Sequence, residues 1–136
     1  MATKKKSTKK NTTNTSVKRK QYIGISRDHS GSMYSIARAA LKDYNNQIQT
    51  IKDLSNKYDI DTYVSTVICD TYVKNETFLT EVSLIKPLSY YGTGGQTPLF
   101  DSVMELVRIM KTVPDYNDPN VTFFSTGYYR WCRKCF

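Results

Sequence analysis

The 136-residue chain predicts an α/β fold, an open sheet flanked by helices. Three observations point there. Short runs rich in apolar and β-branched residues alternate with segments of helical period. The longest periodic segment, residues 33–57, contains no Gly or Pro. Each of the two helical segments follows a polar, Gly-containing loop, the punctuation expected between elements of such a sheet.

Taken in order, order is expected to begin at Gln21, with Tyr22-Ile23-Gly24-Ile25-Ser26 as a buried first strand. Asp28-His29-Ser30-Gly31-Ser32 follows as a loop. Met33, Ala37, Ala40, Leu41, Tyr44, Ile48, Ile51 and Leu54 recur at three- and four-residue steps, which predicts one amphipathic helix over residues 33–57. Thr62 to Cys69 is β-branched and predicts a second strand. Asp70-Thr71 suits a tight turn, and Tyr72 to Thr80 predicts a third, antiparallel strand with an exposed edge at Lys74-Asn75-Glu76. Val82 to Leu88 is short and ambiguous. Gly92-Thr93-Gly94-Gly95-Gln96 needs a permissive backbone. Thr97-Pro98 then opens a second helix as N-cap and first residue, with Leu99, Val103, Leu106, Val107 and Met110 as its apolar face. Asp115 to Asn120 is a loop, and Val121-Thr122-Phe123-Phe124 starts another strand.

Charge is unevenly placed. The formal net charge is +8, yet residues 1–20 hold eight Lys/Arg and no acid. Residues 21–124 hold nine basic and twelve acidic residues. The first twenty residues are Lys/Thr/Asn/Ser-rich, too polar to repay the entropy of ordering, and are expected to form a disordered basic arm. The arm reads as a solubilising tail or as a weak polyanion contact, for instance with nucleic acid. No apolar stretch is long enough to span a bilayer, and no h-region follows the basic N-terminus. Three cysteines, Cys69, Cys132 and Cys135, without a signal peptide argue for a reducing cytoplasmic setting. Cys132-x-x-Cys135 lacks both a thioredoxin-type context and a second pair for zinc.

The chemistry concentrates in Asp28-x-Ser30-Gly31-Ser32, at the carboxyl end of the first strand, where ligands bind in open α/β sheets. One carboxylate and two hydroxyls can converge on one point. They are hard oxygen donors, suited to Mg²⁺ or Mn²⁺ rather than a thiophilic metal. Neutral hydroxyl ligands leave such an ion short of negative charge, so it seeks a carboxylate from elsewhere. A purely structural reading is an Asx turn capping the helix. His29 occupies an unconstrained position and suits a structural or solvent role. Asp70 and Asp101 suit a turn and a helix surface. The Gly92 to Gly95 loop lacks the Gly-Lys-Ser/Thr ending of a phosphate cradle.

These residues resemble a known family. Asp28, Ser30 and Ser32, followed by Met33, match the DxSGSM form of von Willebrand factor type A domains, as found in many bacterial and phage proteins. Gly94-Gly95-Gln96-Thr97-Pro98-Leu99 is similar to the family's later Gly-rich loop. The resemblance covers roughly residues 21–124. It implies a Rossmann-like sheet and a metal-ion-dependent adhesion site. Ser30, Ser32 and Thr97 would bind Mg²⁺ or Mn²⁺ directly, and Asp28 would act through water or by holding the Ser hydroxyls. The implied function is cation-dependent protein binding, with a partner's acidic residue completing the ion, and not an enzyme. A phosphotransferase with Asp28 as nucleophile would normally carry a second Asp at position plus two, where Ser30 stands.

The resemblance breaks after Phe124. The family's strand there ends in Thr-Asp-Gly, whose Asp belongs to the metal site, and further elements follow. This chain continues Ser-Thr-Gly-Tyr-Tyr-Arg-Trp-Cys-Arg-Lys-Cys-Phe. Phe123-Phe124 can be encoded by a run of T bases. Loss of one T permits the following codons to read Leu-Val-Leu-Val-Ile-Thr-Asp-Gly, with Asp where Arg130 stands. Residues 125–136 are therefore expected to be out of frame, naturally or through sequencing, and the domain to be incomplete at the C-terminus. Such a chain would expose a sheet edge and apolar surface, which predicts poor solubility and a truncated, non-functional fragment as one outcome.

Overall fold

The computed structural model describes residues 17–96 and 98–128, with the backbone alone at Tyr128. The arm expected over residues 1–20 thus lies largely outside the described residues, as do Thr97, Cys132 and Cys135. Four strands form one mixed sheet: β1 Lys20–Asp28, β2 Asp61–Cys69, β3 Val73–Glu81 and β4 Val121–Tyr128, in the order β3-β2-β1-β4. β1 pairs parallel with β2 and β4, and β3 runs antiparallel to β2. Helix α1 spans Ala37–Tyr58 and α2 spans Leu99–Lys111. The α/β class read from strand–helix alternation is what the structure shows, and the order is consistent with the 3-2-1-4 part of a Rossmann-like sheet, with β3 reversed.

The pleat of β1 divides the core. Ile23 and Ile25 pack with Tyr44 and Ile48 of α1, together with Val64, Val82 and Ile85. The alternate residues face α2. A Cβ at Gly24 would stand 3.1 Å from side-chain carbons of Leu106 and Met110, so glycine lets α2 lie close on the sheet. Val67, Leu106 and Ile109 complete that side. Ser26, also facing α2, hydrogen-bonds Ser102 at 2.9 Å and Cys69 at 3.1 Å in a buried polar cluster. Ser102 in turn donates to the Leu99 carbonyl at 2.8 Å. These bonds tie the first turn of α2 to the middle of the sheet.

Three sequence expectations are modified. The single helix over residues 33–57 is two pieces, a 3-10 segment at Gly31–Ile36 and then α1. Ile36, at φ −120°, separates them. The 3-10 rise of about 2.0 Å per residue, against 1.5 Å in an α-helix, lets this segment span from the anchored Ser30-Gly31 loop to α1. It also buries Met33 against Ala40 and Tyr91. Second, the apolar face expected for α2 is only partly covered. Leu106 is buried and so is Ile109, whereas Leu99, Val103 and Val107 are exposed. One flank of α2 has no layer over it, and an open groove of about 440 Å³ runs between Leu106, Val107 and Met110 and the β4 residues Phe123 and Ser125. Third, the strand expected to start at Val121 runs on to Tyr128. It pairs with β1 from Val121 against Lys20 to Tyr128 against Arg27.

Two more are shifted: α2 begins at Leu99 with Pro98 as its N-cap rather than its first residue, and the ordered chain starts before Gln21, with Lys20 already in β1. β3 is an edge strand with Lys74, Asn75 and Glu76 exposed. α1 ends at Asp59 in the left-handed region, φ 50°, and the Ile60 N–H closes back on the Ser55 carbonyl at 3.0 Å. Basic residues of the expected arm are engaged here: Lys18 pairs with Asp61 at 3.0 Å and Asp59 at 3.5 Å, and Lys20, the first residue of β1, with Asp115 at 2.8 Å. No helix among the described residues is long and apolar enough to cross a membrane.

Candidate metal centre

β1 ends at Asp28, beside Cys69 at the end of β2. After β1 the chain passes to β2 on one side, while β4 lies on the other. The loop after Asp28 therefore sits at the switch point of the sheet, where the outgoing connections part and leave a crevice. Asp28 and Ser30 are buried. The Ser30 N–H donates to Asp28 Oδ1 at 2.8 Å, which turns the chain sharply. That turn brings the Ser30 and Ser32 hydroxyls within 3.0 Å of each other. Asp28, Ser30 and Ser32 are thus brought together as expected.

The Gly-rich loop is held against this turn by backbone bonds. Gly94 and Gly95 donate to the His29 carbonyl at 3.0 and 3.3 Å. The Gly31 N–H donates to the Gly95 carbonyl at 2.9 Å, and Ser30 bridges to Gly95 as in a parallel ladder. Two glycines are required there. Gly94 has φ 131°, which side chains rarely adopt. At Gly95 a Cβ would run into the Asp70 carboxylate and the Thr71 backbone. Thr97 follows two residues after Gly95 and lies outside the described residues. Pro98 and the first turn of α2 are placed by the Ser26–Ser102 contact.

A long connection, residues 85–98, delivers that loop. Asn45 of α1 clasps the Leu88 backbone at both its N–H and its carbonyl, at 2.8 and 2.9 Å. Lys52 donates to the Ile85 carbonyl at 2.6 Å. Tyr91 is buried, donates its hydroxyl to the Asp28 carbonyl at 2.8 Å, and packs its ring 4.7 Å from that of His29. Tyr91 was not evident as a site residue from sequence. Its only signal is a place just ahead of the Gly-rich loop.

Arg27 was also missed. It lies on the α1 side of β1 and is buried, with its guanidinium 4.6 Å from the Tyr44 ring centre and 5.9 Å from that of Tyr91. Its Nη2 pairs with Glu76 of β3 at 2.7 Å. Among the described residues, the buried side-chain N or O atoms without a hydrogen bond are Arg27 Nε, Arg27 Nη1 and His29 Nε2, on either side of Asp28. Burial, and then the Arg27 charge, push the His29 pKa below its ordinary value. His29 is thus a structural residue packed on Tyr91, the role its unconstrained position suggested.

Asp70 is a turn residue, as expected. Its carboxylate accepts the Thr71 N–H and lies 3.9 Å from Lys74. The Thr71 hydrogen bond and the Lys74 charge hold it below the usual carboxylate range. Asp101 lies exposed in the first turn of α2. Burial pushes the Cys69 thiol up, so it is a packing residue rather than a reactive one.

Among the described residues no three His, Cys, Asp or Glu side chains gather as metal ligands. A cation here would rest on one carboxylate and on hydroxyls. The chain matches no family model, no curated protein and no solved structure.

Proposed function

We propose that the chain is the N-terminal part of a von Willebrand factor type A domain, and that it binds a protein partner through a Mg²⁺ or Mn²⁺ ion. The observation that carries this reading is the Ser30–Ser32 pair. Two adjacent ligands of an octahedral ion with bonds near 2.1 Å lie about 3.0 Å apart. The two hydroxyl oxygens, hydrogen-bonded to each other in the loop after β1, are 3.0 Å apart, a separation that an ion between them could keep. The donor set therefore fits a hard divalent cation. Ser30 and Ser32 would ligate it directly, with Thr97 joining from the loop that Gly95 holds against Ser30. Asp28, whose Oδ1 accepts the Ser30 N–H, would order the turn and act on the ion through water. The ion would offer its remaining positions to water and to a carboxylate of the partner.

This is binding chemistry rather than catalysis. Ser30 occupies the place where a phosphotransferase would hold its second acid. Titration of the metal-free chain with MnCl₂, followed by calorimetry or by loss of the free Mn²⁺ resonance, tests the reading. The wild type is expected to take up one Mn²⁺ that Mg²⁺ displaces. Ser30→Ala and Thr97→Ala are each expected to weaken uptake by about tenfold or more, as loss of one ligand should. Equal uptake by wild type and both variants would sink it.

A further inference from the structure

The two outer strands of the sheet, β3 and β4, are built differently. β3 carries the usual protection of an edge. Lys74 and Glu76 are exposed on it, and its pairing with β2 slips between Val64 and Val67. β4 carries none of these devices. Val121–Tyr128 holds no charged residue and no Pro, and it pairs with β1 without a break in register. Among the described residues nothing pairs with its other side. An uncharged, regular, open strand is a template for another strand.

We infer that the outer edge of β4 pairs antiparallel with β4 of a second copy of this chain, about a two-fold axis through Phe124. The backbone fixes which groups are available. The Lys20 N–H donates to the Asn120 carbonyl at 3.1 Å, so Asn120 turns its backbone toward β1. Backbone groups alternate sides along a strand, so Thr122, Phe124 and Thr126 also turn inward, while Phe123, Ser125 and Gly127 turn outward. The Val121 N–H is already bound to the Asp118 carbonyl at 3.1 Å, which leaves the Val121 carbonyl.

A two-fold axis normal to the sheet keeps each face on its own side, and residues opposite one another then share a face. With the axis at Phe124, Phe123 meets Ser125 of the second copy and Val121 meets its Gly127, so outward groups meet outward groups. Phe124 meets Phe124 of the second copy, and Thr122 meets its Thr126. Phe124 is 54% exposed, and Thr122 and Thr126 are exposed on the same face. The contact thus buries an aromatic pair at its centre and hydroxyl pairs beside it, combinations that favour strand pairing. An uncharged strand brings no like charges together across the axis. The contact is also closed, since each copy uses the same edge. Pairing β4 with β3 of another copy would build an open filament, and the charges and slipped register of β3 oppose it. A one-strand seam belongs to the small interfaces, below about 1,200 Å² in total, so a dissociation constant on the order of 10 μM is expected.

Sedimentation of the full chain in EDTA, from about 1 to about 200 μM, tests this without engaging the candidate metal site. A monomer–dimer equilibrium is expected. Ser125→Pro removes one outward N–H and leaves the bonds to β1, as proline on an edge strand can. Phe124→Lys sets two charges against each other at the axis. Each is expected to raise the dissociation constant at least about tenfold with an unchanged circular dichroism spectrum. Register is read by oxidation in a Cys132→Ser, Cys135→Ser background. Cα atoms of the two Phe124 residues would stand about 4.5 Å apart, within disulfide reach, so Phe124→Cys is expected to link the copies. The two Thr126 residues would stand about 13 Å apart, so Thr126→Cys is not. Wild type that stays monomeric leaves the edge to a foreign strand and overturns the inference. Growth past the dimer overturns it too, as does linkage by Thr126→Cys as ready as by Phe124→Cys. Should Ser125→Pro fail to fold, Phe124→Lys and the two cysteine variants still decide.

Discussion

Removing Glu76 is expected to destabilise the fold more than removing the buried arginine it neutralises. Arg27 is 1% exposed, and its Nη2–Glu76 Oε1 contact of 2.7 Å is its ion pair, with Nε and Nη1 unbonded among the described residues. Glu76→Ala leaves a full charge buried between Tyr44 and Tyr91. Breaking a fully buried pair costs about 3–5 kcal/mol. The Glu76 side chain is 29% exposed, so water can partly replace it, and a cost of about 2–3 kcal/mol is expected. Arg27→Met removes the charge instead. It forfeits cation–π attraction of about 1–2 kcal/mol. It also relieves two buried nitrogens without a hydrogen bond, at about 1–3 kcal/mol each, and keeps an unbranched chain against the rings. That relief, about 2–6 kcal/mol in all, exceeds the lost attraction but is offset by leaving the part-exposed Glu76 without its partner, so Arg27→Met is expected to cost less than Glu76→Ala. Urea unfolding of the full chain, monitored by far-ultraviolet circular dichroism, reads both values, and the double variant closes the cycle. The reasoning is refuted if Arg27→Met costs more than Glu76→Ala, or if Glu76→Ala costs less than about 1 kcal/mol.

Two further predictions concern the loops at the candidate site. His29 is the single histidine, and its folded pKa is depressed below 6.5, first by burial and then by Arg27. The unfolded chain therefore takes a proton there that the folded chain resists, so this stability is present above pH 6.5 and lost as pH falls through the folded value. In EDTA, the melting temperature of wild type should fall from about pH 7 to about pH 5 more steeply than that of His29→Gln; parallel curves would refute the assignment. Gly95→Ala should push the Gly-rich loop off the Asp70 turn and so off Ser30, weakening Mn²⁺ uptake by about tenfold to a hundredfold while circular dichroism stays unchanged; wild-type uptake would show that the loop contact is not needed.

Much of the fold was legible because it depends on local pattern. The β-branched run at Thr62–Cys69, the Gly- and Pro-free run into α1, and the charged edge at Lys74–Glu76 each state an element with a few adjacent residues. The candidate turn was legible for the same reason: Asp28, Ser30 and Ser32 lie within five positions, and an Asx turn needs no partner from elsewhere. The break before Ala37 was not legible, because a tether from Gly95 to Ser30 and Gly31 requires two segments more than sixty residues apart to meet.

The sequence by itself therefore determined the class of fold, the run of strands and helices along the chain and the hard-oxygen character of the Asp28 turn. Those follow from side-chain chemistry and from periods of two and 3.6 residues. Only the tertiary structure decided what surrounds the turn. It placed Arg27 under Tyr44 with Glu76 from the far edge strand, aimed Tyr91 at the Asp28 carbonyl, and set β4 at the outer edge of the sheet. None of these has a local signature. Each is a contact or a shared edge between elements whose spacing along the chain is unrelated to their distance in space, and the parallel pairing of β1 with both β2 and β4 sets that distance.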